Sequence, residues 1–192
     1  MKHNYEPKPI FTERMKSLLG KDFEKYWEIS QTESLRSIRV NTLKISPKEL
    51  KKKLEEKSWI VKQPFKNHDE IMTIESELQP GELGRSLEHL LGYYYIQELA
   101  SMLPAIALNP KENEKVLDLC ASPGSKTTQI ASMMKNTGTI IANEVKLSRI
   151  KILASNLERC GVTNAIITKK DGIAFCKRTR GNFKFDGSSD RI

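Results

Sequence analysis

The residues best placed to do chemistry lie at 116–127, Val-Leu-Asp-Leu-Cys-Ala-Ser-Pro-Gly-Ser-Lys-Thr. Val116, Leu117 and Leu119 form an apolar run too short for a helix, and Pro123-Gly124 breaks it. From Lys126 a helical period puts Thr127, Ile130, Ala131 and Met134 on one face. A strand that ends in glycine at a helix start brings backbone N–H groups close to a ligand, and the helix end adds partial positive charge. Two nucleotide-binding patterns fail here. A P-loop ending in Lys126-Thr127 needs glycine at 120 and 125, where the chain has Cys120 and Ser125. The dinucleotide fingerprint needs three glycines at fixed offsets, and only Gly124 is present. On spacing alone, an ordinary strand–turn–helix connection remains open.

Residue by residue, the run from Asp118 to Thr127 resembles the cofactor loop Asp-x-Cys-Ala-Ala-Pro-Gly-Gly-Lys-Thr of the RsmB/Nop/Sun family of RNA cytosine methyltransferases. It departs at Ser122 and Ser125, small for small. The resemblance implies S-adenosyl-L-methionine as cofactor, with Cys120, Ala121, Ser122, Pro123, Gly124, Ser125 and Lys126 meeting its amino-acid end. Lys126 has two readings, a bond to the methionine carboxylate or to a nearby acid. Glu144 follows an apolar strand over 139–143 and stands 20 residues beyond Gly124. That is the offset of an acid accepting both ribose hydroxyls at the carboxyl end of a strand. Without the family pattern, a lone Glu there is an ordinary solvated residue. Asp171 matches the family's acid that bonds the adenine amino group, and Asp171-Gly172 is also a common turn pair. Arg149 reads as a supporting or surface cation.

The elements that must position these residues follow from periodicity. Leu147, Ile150, Leu153, Ala154 and Leu157 form a helical stripe stopped by Gly161, and 164–168 reads as a third strand. Three strands and two helices make the βαβαβ half of a doubly wound sheet. The expected fold class is α/β, a Rossmann-like class I methyltransferase half-sheet, incomplete, preceded by a small α+β domain. Residues 1–30 read as one or two amphipathic helices carrying Phe11, Met15, Leu18, Leu19, Phe23, Tyr26 and Trp27, an apolar stripe of the packing kind. A strand over 39–44 and a capping box at Ser46-Pro-Lys-Glu49 follow, then a helix with Leu50 and Leu54 inward, and strands at 59–61 and 71–74. This unit resembles the family's RNA-recognition-motif-like N-terminal domain, whose first strand opens with Arg-Val-Asn-Thr. No aromatic pair for base stacking is evident, so scaffold and phosphate contact are expected. The Pro- and Gly-bearing run 79–86 reads as a loop and sets the domain division at 1–85 and 86–192. Beyond it Leu87, Leu90, Leu91, Tyr94 and Tyr95 follow helical spacing. The run 92–101 looks like the family's Gly-x-x-x-x-Gln-Asp/Glu-x-x-Ser segment.

The net charge of +8 favours an anionic partner, nucleic acid ahead of a membrane surface. The excess is uneven. Residues 1–57 carry 14 Lys/Arg against 9 Asp/Glu, 58–115 carry 5 against 9, and 116–192 carry 13 against 6. The basic run 169–184 is a solvated face or a phosphate contact. Three cysteines without regular spacing argue against a disulfide framework or a zinc site. No run approaches the roughly 18 apolar residues of a membrane span, and cytoplasm is the expected setting.

The family implies a cysteine thiolate that adds to cytosine C6 and a second cysteine that assists release. Neither motif, Asp-Pro-Cys-like or Thr-Cys-Ser-like, occurs in the chain, and none of Cys120, Cys160 or Cys176 is assigned a catalytic role. The chain ends Ser189-Asp190-Arg191-Ile192, where the family's next strand begins. The expectation is therefore a truncated RNA (tRNA or rRNA) cytosine-C5 methyltransferase, with the catalytic half encoded further on or supplied by a second chain. The alternatives are an RNA-binding module with a vestigial cofactor pocket, or another class I RNA methyltransferase.

Overall fold

The computed structural model describes residues 7–32 and 35–179. The expectations for Arg180, Lys184 and the terminal run 189–192 lie outside the described residues. The chain falls into two compact units, one up to Ser34 and one from Leu35.

The first unit holds helices α1 (Pro9–Leu19) and α2 (Phe23–Ser30), joined by a 3₁₀ turn at Gly20–Asp22. Pro9 opens α1, where a missing N–H costs nothing. Of the expected apolar stripe only Phe23 is buried, stacked on Trp27 at 5.9 Å with the Lys16 ammonium over its ring at 5.2 Å. Ile10, Phe11, Leu18 and Ile29 remain exposed.

The second unit begins with an antiparallel sheet, β1 (Arg36–Val40), β2 (Val61–Lys62), β3 (Ile71–Ile74) and β4 (Tyr94–Ile96), in the order β2-β3-β1-β4. Helix α3 (Pro47–Glu55) covers one face. Its capping box is complete, since Ser46 Oγ accepts from Glu49 N–H and the Glu49 carboxylate accepts from Ser46 N–H at 3.2 Å. Ile38, Val40, Met72, Ile74 and Tyr94 meet Leu50, Leu54, Trp59 and Val61 in the core on that side. Side chains alternate across a strand, so Ser37 and Arg39 point to the other face. They are buried as well, with Ile71, Thr73 and Tyr95. The face that would be open to bases in an RNA-recognition motif is thus covered.

Two departures from the sequence reading fall between 80 and 96. The loop carries two single helical turns, α4 (Glu82–Arg85) and α5 (Leu87–Leu90). The helical spacing from Leu87 to Tyr95 does not produce a helix through the tyrosines. Gly92, at φ +73°, ends the turn, and Tyr94–Ile96 pairs with β1, Val40 opposite Tyr94 and Ile38 opposite Ile96. The first sheet therefore takes its last strand from beyond residue 86.

Helix α6 (Leu99–Leu108) leads into three parallel strands in sequential order: β5 (Lys115–Asp118), β6 (Thr139–Asn143) and β7 (Ala165–Thr168). Helices α7 (Ser125–Met133) and α8 (Leu147–Cys160) make the crossovers, and α9 (Gly172–Thr179) follows β7. Gly161 ends α8 in the left-handed conformation that glycine accepts without strain. Val116, Ile140, Ile130, Ala131 and Met134 pack with Ala105 and Leu108 of α6 on one side, and Ala142, Leu153 and Leu157 with Ala121 on the other.

Candidate cofactor-binding site

A cavity of about 580 Å³ opens at the carboxyl ends of β5, β6 and β7, the place where parallel α/β sheets hold ligands. Cys120, Glu144 and Asp171 line it together with Leu119, Val145 and Ile173. Its size lies within the range of small-molecule sites. Three acidic or thiol positions separated by 51 residues of sequence thus meet at one opening. Ala121, Ser122, Pro123, Gly124, Ser125 and Lys126 form the adjoining turn and the first turn of α7 rather than the cavity wall.

Glu144 is only 4% exposed. One carboxylate oxygen accepts the Lys146 N–H at 2.9 Å, and the other lies 3.4 Å from Arg149 Nε. Arg149, read from sequence as a supporting or surface cation, takes the supporting place while staying partly exposed. Its Nη2 also donates to the Ser122 carbonyl at 2.5 Å, while Ser122 Oγ donates to the Arg149 carbonyl at 2.9 Å. Asp171 is exposed and caps α9, one oxygen accepting the Ala174 N–H at 3.0 Å. The turn reading of this residue is therefore met, and an ionised carboxylate, which accepts about four bonds, keeps acceptor capacity beyond this one.

The loop is held from several directions. Cys120 N–H and Thr127 Oγ1 both donate to Asp118, the latter at 2.8 Å. The Ser122–Pro123 peptide is cis. The Pro123 carbonyl accepts from Asn156 Nδ2 at 2.8 Å and Tyr95 Oη at 3.3 Å. Gly124 has φ +105°, and a Cβ there would lie 3.2 Å from Leu153 Cδ1. This glycine serves turn geometry and the close packing of α8, in addition to leaving the helix start open. The first N–H groups of α7 have no partner within the helix and carry its positive end.

Sequence reasoning missed Asn143. Its Nδ2 donates to the Leu119 and Lys170 carbonyls, and its Oδ1 accepts from Thr168 Oγ1 and Lys170 N–H, all within 3.2 Å. One buried amide thus ties the ends of all three strands. An amide ending an apolar strand was the available signal. Ile173, Cys176 and Lys177 of α9 and Lys170 also line the cavity. Nothing local marks them, because they reach it through the turn after β7. Cys160 is buried, at the end of α8.

Burial pushes the Asp118 carboxyl above its ordinary value, opposed by the Thr127 hydroxyl, the Cys120 N–H and the Lys126 charge. That field bears on the second reading of Lys126, an acid nearby. The folded state then holds the Asp118 proton more tightly than the unfolded state. Its contribution to stability is complete below the ordinary carboxylate range and is lost as pH rises through the raised folded value. Asp118→Asn, which keeps an acceptor for Thr127, is expected to raise the melting temperature at pH 7 relative to wild type and to change it little at pH 3. Calorimetric melting at the two pH values checks this, and an equal difference at both would refute it.

Residues 105–190 match the family model of 16S rRNA methyltransferase RsmB/F, and residues 8–99 match the N-terminal domain of 16S rRNA methyltransferase RsmF. The chain is 43% identical over 169 residues to ribosomal RNA small subunit methyltransferase F of Vibrio parahaemolyticus, covering 86% of this chain and 35% of that one. It is 47% identical over 143 residues to the same-named protein of Aliivibrio salmonicida, covering 73% of this chain and 30% of that one. The crystal structure of a methyltransferase homologue from Pyrococcus horikoshii superposes with a TM-score of 0.79 at 34% identity, over 94% of this chain and 57% of that one. NSun6 from the same organism gives 0.77 at 23% identity, over 94% and 68%. The fold is that of a class I methyltransferase over the first three strands of its sheet, preceded by the small α+β unit. The chain belongs to the RsmB/Nop/Sun family, as its cofactor-loop residues imply. It spans about a third of the length of the curated relatives. Those relatives carry the remaining length in the same polypeptide, and nothing supports a separate chain that supplies it.

Proposed function

We propose that this chain is the cofactor-holding and RNA-engaging part of an S-adenosyl-L-methionine-dependent methyltransferase that modifies cytosine C5 of small-subunit ribosomal RNA. The observation that carries the reading is the cavity that joins Glu144 and Asp171 beside the turn at 120–126. The residues fit the cofactor chemically. Glu144 has lone pairs for a ribose diol, Asp171 for an exocyclic amine, and Val145 and Ile173 offer exposed apolar surface to a base. The loop Cys120, Ala121, Ser122, Pro123, Gly124, Ser125 and Lys126 adjoins the positive end of α7, suited to a carboxylate. The cofactor supplies an activated methyl group, and these residues bind and orient it. No step is assigned to Cys120, Cys160 or Cys176, which lack the family's catalytic motifs.

In the proposed division of labour, the antiparallel sheet β1–β4 with α3 serves RNA, and the parallel strands β5–β7 with their helices serve the cofactor. The relatives' names favour ribosomal RNA over tRNA as the substrate. Lys170 and Lys177 at the cavity, with Lys169 beside them, suit RNA phosphates. Among the described residues no helix is long and apolar enough to cross a membrane, and the proposed setting is the cytoplasm, with the ribosome. Calorimetric titration of the chain with S-adenosyl-L-methionine tests the reading. Binding in the micromolar range is the expected result. A folded chain that binds RNA but not the cofactor would favour an RNA-binding module with a vestigial pocket.

A further inference from the structure

Arg39 stands on the face of β1 that packs toward the cofactor half, and it is 2% exposed. Its backbone is clamped on both sides, opposite Ile71 of β3 and Tyr95 of β4. Among the described residues no carboxylate forms an ion pair with it, and Glu70 acts on it only at longer range. Burying a cation without a counter-ion is costly, and an apolar side chain of similar length would pack there at lower cost. Stability is therefore a poor account of an arginine at this position.

Its bonds give a better one. Nη1 donates to Gln97 Oε1 at 2.6 Å and to the Ser125 carbonyl at 2.8 Å. Nη2 donates to Thr128 Oγ1 at 2.8 Å. Tyr95 lies with its ring 5.6 Å from the guanidinium, and its hydroxyl reaches the Pro123 carbonyl. Gln97 in turn donates to Gln129 Oε1 at 3.0 Å. Ser125 is the first residue of α7 and the sixth of the seven loop positions beside the cavity. The planar fork thus spans from the first sheet to the end of the loop, a geometry that lysine does not reproduce. A cation is also disfavoured by the dipole at a helix N-terminus. Placed there without a neutralising acid, it strengthens the positive field that the loop offers to an anionic group.

We propose that Arg39 is a positioning residue that sets the cofactor loop from the four-stranded sheet through Gln97, Ser125 and Thr128. The proposal rests on the reading of 120–126 as the loop that meets S-adenosyl-L-methionine. It also makes a claim about the free protein, that the fork orders this loop before any ligand arrives.

The test uses the full chain, with Arg39→Met, Arg39→Lys and Thr128→Val, read by cofactor titration and by amide hydrogen exchange of the free protein. Arg39→Met is expected to lower cofactor affinity by about 30-fold, the indirect cost of a loop whose supporting contacts no longer hold it in the binding geometry. Exchange over 120–128 is expected to rise by about tenfold, with the 71–74 and 165–168 amides unchanged. Arg39→Lys is expected to restore less than half of the lost binding free energy, since charge returns without the fork. Thr128→Val is expected to weaken binding about threefold in wild type and by clearly less in Arg39→Met, where only the Thr128 bond to the Ser125 carbonyl is left to lose, the signature of a shared contact. Unchanged loop exchange and affinity in Arg39→Met would overturn the proposal, as would a uniform rise in exchange across the unit, which marks a purely structural role. If Arg39→Met does not fold, Thr128→Val decides, and no change in its loop exchange overturns the proposal. If wild type binds no cofactor, the reading of the loop fails, while the exchange data still decide whether Arg39 orders it.

Discussion

Replacing Glu144 by alanine is expected to weaken S-adenosyl-L-methionine binding by about 100-fold or more, the largest loss of any single side-chain deletion at the cavity. A carboxylate that accepts both hydroxyls of a ribose makes two charge-assisted bonds, each contributing about 1.5–3 kcal/mol. Glu144 is set for this by its place directly after β6, with one oxygen fixed by the Lys146 N–H and the other beside Arg149. Its removal also leaves the Arg149 guanidinium, which anchors the Ser122 carbonyl, without its acid. Asp171→Asn is the matched comparison. It keeps an acceptor for the Ala174 N–H, so α9 retains its cap, and replaces the other acceptor oxygen and the charge by an amide donor. About a tenfold loss is expected there, one bond instead of two. Titration calorimetry of both variants beside wild type checks the pair. Full affinity in Glu144→Ala would remove the ribose assignment.

The second large effect concerns folding rather than ligand. Gly92→Ala is expected to destabilise the chain by on the order of 3 kcal/mol or more, combining left-handed strain with overpacking. The position has φ +73°, and an added Cβ would overlap the Arg159 backbone carbonyl. No flexible side chain can move aside there. The site is also where the two sheets of the second unit are joined. Asn41 Nδ2 donates to the Gly92 and Cys160 carbonyls at 2.8 and 2.7 Å, and Lys44 Nζ to the Leu91 and Arg159 carbonyls at 3.0 and 2.7 Å. A shift of α8 to admit the methyl group would break these bonds. Thermal melting is expected to show a fall of roughly 6–12 °C. A change below about 2 °C would show that the junction yields easily, contrary to the packing described.

These two positions differ in how they could be recognised. The place of Glu144 at a strand end beside the cavity was legible because it is local: an apolar run with an acid at its end, at a fixed offset from Gly124. The capping box at Ser46, the stop at Gly161 and the parallel βαβαβ order were legible for the same reason. Periodicity and turn chemistry are properties of short segments, and here they agree with the tertiary fold.

Gly92 and Tyr94 show the limit of that logic. The spacing Leu87, Leu90, Leu91, Tyr94, Tyr95 fits a helix, yet the chain turns at Gly92 and the tyrosines enter a strand. The hydrogen-bonding edge of β1, more than 50 residues earlier, decides this, and no window on the local sequence contains it. Arg39 and Asn41 carry the same lesson. Alternation along β1 places both opposite Val40, but only the packed structure supplies their partners at 92, 125, 128 and 160. Asn143, Ile173 and Cys176 likewise reach the cavity through strand ends and a turn that converge in space. The sequence by itself determined the parallel half and its crossovers, the family and the acids at the strand ends. Tertiary structure alone decided which strand closes the first sheet, what holds the loop, and which side chains share the cavity, because those outcomes depend on burial and hydrogen bonds between residues distant in the chain.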